Sequence, residues 1–122
     1  MRFRGVFSAM LYFLGRFLDA AEDPPDFNRE IRPILAENCF HCHGPDKKSR
    51  KGGLRLDTFE GARDGGEFAE AVVPGKPERS ELIARIHSDD PDELMPPPDS
   101  KRTLTSKEKE LLQKWIVSGA RY

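Results

Sequence analysis

Residues 39–43 read Cys39-Phe40-His41-Cys42-His43, and the reading of these five positions decides how the rest of the chain must fold. The pattern C-x-x-C-H is the attachment signature of a c-type haem. A thiol adds across a haem vinyl group to give a thioether. Two thiols three positions apart on a helical turn reach both vinyls, which makes Cys39 and Cys42 the candidate attachment sites. His43 then falls under the iron and offers an imidazole nitrogen as proximal ligand.

Three plainer uses of the same residues are weaker. A thioredoxin-like redox pair expects a βαβ pattern, and no buried apolar strand run precedes Cys39. A closed zinc site needs four ligands, usually from two separated pairs, and the chain has only two cysteines. A disulfide between positions three apart closes a tiny loop and stabilises little.

The chain has 122 residues, enough for one small domain. With 37% hydrophobic and 34% charged residues its core is thin, and a covalently held haem would supply a large apolar group to fill it. A net charge of −1 gives no argument for nucleic acid. Residues 1–21 differ in character from the remaining chain. Arg2 and Arg4 give a basic start, Val6 to Gly15 is mostly apolar, and Ala20-Ala21 offers small residues for cleavage. This reads as a secretory signal peptide; ten apolar residues are too few to span a bilayer. Residues 22–122 would be the mature domain, exported to the periplasm or an equivalent compartment and touching a membrane only transiently. Haem attachment to cysteines takes place outside the cytoplasm, so both signals point to one compartment.

Apolar spacing at Ile31, Ile34 and Leu35 predicts a helix over 28–40, capped by Asp26 or Asn28 and kinked or begun near Pro33. Residues 44–53 form a basic loop with Lys47, Lys48, Arg50 and Lys51, a solvated surface or a docking patch at the haem edge. Leu54-Arg55-Leu56 alternates as a short extended segment. Asp57 or Thr58 caps a short helix ended by Asp64-Gly65-Gly66. A further helix starts at Pro77 with Leu82, Ile83 and Ile86 buried, and stops near Ser88. His87 could ligate iron, although a helix-end surface position is its plainer reading. Asp89, Asp90, Asp92 and Glu93 make an acidic loop. Met95 sits on a stiff Met-Pro-Pro-Pro run, where the prolines suit a ligand loop closing over the second haem face; core filler is its plainer role. The last helix is capped by Thr105 with Glu108 in a capping box, presents Leu111, Leu112, Trp115 and Ile116, and ends at Gly119.

Several of these stretches occur in one order. Asn28-Arg29-Glu30-Ile31-Arg32-Pro33-Ile34-Leu35, the segment from Cys39 to Asp46, Lys51-Gly52-Gly53-Leu54-Arg55-Leu56-Asp57, Met95-Pro96-Pro97-Pro98 and the closing helix resemble the planctomycete-type cytochrome c domain over residues 26–122. The resemblance implies a small all-α cytochrome c-like fold, about three to five helices around one covalently bound haem c. It implies Cys39 and Cys42 as thioether sites, His43 as proximal and Met95 as distal iron ligand. Domains of this type commonly stand at the start of much longer proteins; ending at Tyr122, this chain is expected to be a free-standing copy or a shortened product.

The leading functional expectation is single-electron transfer by a monomer to a redox protein partner. A haem enzyme or gas sensor would need an exchangeable sixth position on the iron. A haem-bearing interaction module would need a catalytic domain to dock.

Overall fold

A computed structural model describes residues 23–122; the expected signal segment lies outside the described residues. Among the described residues the secondary structure is helical, with no strand. A π-helical turn over Phe27–Ile31 leads into α1 (Arg32–Asn38), followed by α2 (Phe59–Asp64), α3 (Glu81–Ile86) and α4 (Ser106–Val117). Short 3₁₀ turns at Pro77–Arg79 and Pro98–Ser100 precede α3 and α4.

Local chemistry accounts for most of these bounds. The Asp26 carboxylate accepts the Arg29 amide while Glu30 accepts the Asp26 amide, so the entry turn is capped in both directions. The regular helix begins at Arg32, with Pro33 in its first turn, where a missing amide hydrogen is harmless. Thr58 caps α2 through the Gly61 amide, and left-handed Gly65 ends it. Thr105 and Glu108 form the expected capping box on α4. One boundary differs from the sequence reading. Pro77 opens only a 3₁₀ turn, and α3 starts four residues later. The cause is Ser80, whose buried hydroxyl binds the Val73 amide and the Lys76 carbonyl and so holds its own backbone extended.

The core gathers around α4. Leu112, Trp115 and Ile116 are buried against Ile31 and Leu35 from the first helical segment and Val72 and Ile86 from the middle of the chain. Trp115 also joins Phe27, Phe59 and Tyr122 in an aromatic cluster, with ring centroids 4.5 Å apart for Phe27 and Tyr122. Tyr122 hydroxyl donates to the Leu56 carbonyl, which ties the end of the chain to the segment after the cysteine motif. Burial pushes the Tyr122 phenol well above its ordinary range and keeps that donor protonated.

Amide bonds stitch the middle of the chain together. Ala71 and Val72 both donate to the Ala62 carbonyl at the heart of α2, and Leu82 of α3 donates to Ala71. The 69–72 segment is thereby fixed between two helices.

Leu112→Ala should lower the unfolding free energy of the haem-loaded protein by about 2–5 kcal/mol, because it leaves a void at the centre of the core. Val117→Ala, on the same helix but 57% exposed, should change it by no more than about 0.5 kcal/mol. Chemical denaturation followed by circular dichroism makes the comparison; equal effects would place the core elsewhere.

Candidate haem site

The cysteine motif occupies the turn that leaves α1. The Cys39 and Phe40 amides still donate to Leu35, so the helix closes at the first cysteine. The His43 amide then donates to the Cys39 carbonyl at 2.8 Å and the Cys42 amide to the same carbonyl at 3.2 Å. These bonds wind residues 39–43 into one helical turn. Gly44 must follow, since a Cβ there would collide with the Phe40 carbonyl oxygen.

Two further backbone bonds anchor the turn. Lys51 donates to Cys42 and Leu56 donates to His43, both at 2.8 Å. They lay Leu54 and Leu56 beside the histidine, and both side chains are buried while Arg55 between them is half-exposed. The expected alternation is present without any strand pairing. The Arg55 guanidinium forms a two-point ion pair with Asp57, at 3.0 and 2.6 Å, which steadies this segment and holds the Asp57 carboxyl below the usual carboxylate range.

His43, Leu54, Leu56, Ala71, Leu82, Ile86 and Met95 face one apolar cavity. Its mouth carries Phe68, Ala69, Glu81 and Arg85. Met95 reaches it because its amide donates to the Arg85 carbonyl at 3.1 Å, at the end of α3. Its side chain is half-buried, and its bond to Pro96 is cis. His87, the other ligand candidate, is exposed, binds the Ile83 carbonyl through Nδ1 and lines a different surface groove. The chain fold thus puts Met95, and not His87, at the cavity of His43, 52 residues away in sequence.

The donor set suits a haem. Burial is the main force lowering the His43 pKa and keeping the imidazole neutral, the form that ligates metal. The backbone of Lys51 and Leu54 lies near the ring and opposes this, yet neither group meets hydrogen-bond geometry at Nδ1, which is buried without a partner. An imidazole and a thioether on one apolar cavity suit haem iron and do not suit a closed zinc site. Among the described residues no cluster of three or more His, Cys, Asp or Glu side chains offers another metal centre. The cavity itself measures only about 60 Å³, against roughly 300 Å³ or more for ordinary cofactor pockets. Its mouth must therefore open around a macrocycle.

Neither cysteine is in a disulfide. Burial, with Cys42 close by, raises the Cys39 thiol to about 12. Phe68, Glu81 and Arg85 join the site without having been expected from the sequence. Arg85 lies three residues after Leu82 on the helix face that carries the cavity wall, so helical spacing is the one signal that points to it.

A profile of the planctomycete cytochrome C family matches residues 39–99, half of the chain, from the first cysteine past the Met-Pro-Pro-Pro run. No curated protein and no solved structure gives a match. The chain belongs to the planctomycete cytochrome C family, whose chemistry is haem binding and electron transfer.

The depressed carboxyl of Asp57 makes part of the stability acid-labile. The unfolded chain takes up that proton near pH 4, whereas the folded chain takes it up at lower pH. The contribution is full above about pH 5 and fades as pH falls through the folded-state value. Asp57→Asn should flatten this part of the stability profile between about pH 5 and 2 in acid titrations followed by circular dichroism; an unchanged profile would mean that the ion pair contributes nothing.

Proposed function

We propose that this domain is an exported single-electron carrier in which Cys39 and Cys42 hold one haem c covalently and His43 and Met95 ligate its iron. The observation that carries this reading is that His43 and Met95, far apart in sequence, line one apolar cavity next to the two-cysteine turn. When bound, the haem supplies a one-electron Fe(II)/Fe(III) couple. The protein's part is to hold it. Thioethers at Cys39 and Cys42 fix one edge, and the neutral His43 imidazole is presented by the turn. The Met95 thioether, soft and uncharged, favours the reduced state relative to a second histidine. Leu54, Leu56, Leu82 and Ile86, which line the cavity, would exclude water from the bound group, so little solvent need reorganise when charge changes.

Filling both axial positions from the chain leaves no site for a substrate on the iron, which favours a carrier over a haem enzyme or gas sensor. Electrons would pass at the exposed edge to a redox protein partner, with the domain acting as a monomer. Export would follow from residues 1–21. No helix among the described residues is long and apolar enough to cross a membrane.

Met95→Ala is the decisive substitution. The wild-type oxidised protein should show the far-red sulfur-to-iron charge-transfer band and resist carbon monoxide when reduced. The variant should lose the band, bind carbon monoxide and have a lower potential, with haem still attached. A variant with an unchanged spectrum and potential would remove Met95 from the iron.

A further inference from the structure

Haem carries two propionate carboxylates as well as its vinyl groups, and an apolar interior cannot hold ionised carboxylates unpaired. They must lie where the cavity meets water. Among the residues lining it, Glu81 and Arg85 are the only acid and the only base of fixed charge. Resting on the haem reading above, we propose that Arg85 is the propionate clamp of this cytochrome and one of the groups that set its potential.

The state of the Arg85 side chain supports this. Its Nε donates to Glu81 Oε1 at 2.9 Å, and its guanidinium lies over the Phe68 ring, 5.6 Å from the centroid. The two terminal amino groups make no hydrogen bond to any described residue. A guanidinium anchored through Nε, stacked on an aromatic face and presenting its remaining fork is preorganised for a carboxylate, which it binds through two parallel bonds. The side chain is 23% exposed, so the charge sits at the water boundary where screening is incomplete.

Charge balance requires such a group. Glu81 already places one carboxylate at the mouth, and propionates would add like charges beside it. Without Arg85 these would repel each other and favour the ferric iron, which carries one more positive charge than the ferrous. Arg85 opposes both effects. Its backbone carbonyl also receives the Met95 amide, so the electrostatic clamp and the sixth-ligand loop are seated on one residue. Arg102 is the comparison: it is exposed and lines the neighbouring cleft behind Ile86 and Met95, on the Cys39 side, and not the mouth that Glu81 and Arg85 share.

The test is the midpoint potential of haem-loaded wild type, Arg85→Gln, Arg85→Lys, Glu81→Gln and Arg102→Gln. Arg85→Gln should lower the potential by about a tenfold shift in the reduced-to-oxidised ratio, about 59 mV for one electron. Arg85→Lys keeps the charge but loses the fork, and should fall by less. Glu81→Gln should raise the potential, and Arg102→Gln should move it less than Arg85→Gln does. A haem-bearing Arg85→Gln protein at the wild-type potential overturns the proposal, as does an equal shift from Arg102→Gln. Should Arg85→Gln fail to accumulate, Glu81→Gln decides: an upward shift supports the clamp and no shift overturns it. Absence of haem on the wild-type chain would instead overturn the underlying haem reading.

Discussion

His43 must be held neutral, with its Nδ1 buried, and must face an apolar cavity, and the surrounding structure serves that constraint. An imidazole in water near neutral pH is partly protonated, and a protonated ring cannot ligate iron. Burial drives it to the neutral form. The same burial leaves its Nδ1 without a hydrogen-bond partner, an arrangement that is unfavourable in a purely structural residue. The turn that carries the ring is accordingly fixed by main-chain bonds: to Cys39 within the motif, and from Lys51 and Leu56 outside it.

The opposite wall is built by a different device. Met95 belongs to a proline-rich segment that cannot continue an α-helix, so its position rests on one amide bond to the end of α3 and on the stiffness of the three prolines after it. The helix is in turn tied to α2 through the 69–72 segment, and packs on α4. Side chains far from the cavity thus determine its width. Tyr122 extends this network to the chain end, since its hydroxyl grips the carbonyl of Leu56, whose side chain lines the cavity.

Residues whose effect is local are legible in the sequence. The cysteine motif, the Thr105–Glu108 capping box, the Thr58 cap and the inward-facing pair Leu54 and Leu56 each depend on neighbours within a few positions, and each is found where the spacing places it. The start of α3 departs from the spacing because the signal at Pro77 is real but weaker than the buried hydrogen bonds of Ser80, and those partners lie up to seven residues away. The mouth of the cavity is barely legible, through the helical spacing of Arg85 from Leu82 alone. Phe68 and Arg85 meet only after the chain has turned back at Ser80, and no local pattern marks an arginine that stacks on a distant ring. The Tyr122 bond to Leu56 spans 66 residues, beyond any periodicity.

Electron transfer by this domain depends on Cys39-Phe40-His41-Cys42-His43 holding a haem covalently. The most direct test is a pyridine haemochrome spectrum, with haem staining, of the denatured polypeptide made with a cytochrome c maturation system. The expected result is the spectrum of a haem with both vinyls saturated, bound to the chain after denaturation, and at most one thioether when Cys39 or Cys42 is replaced by alanine. Complete loss of haem from the denatured wild-type chain would contradict covalent attachment.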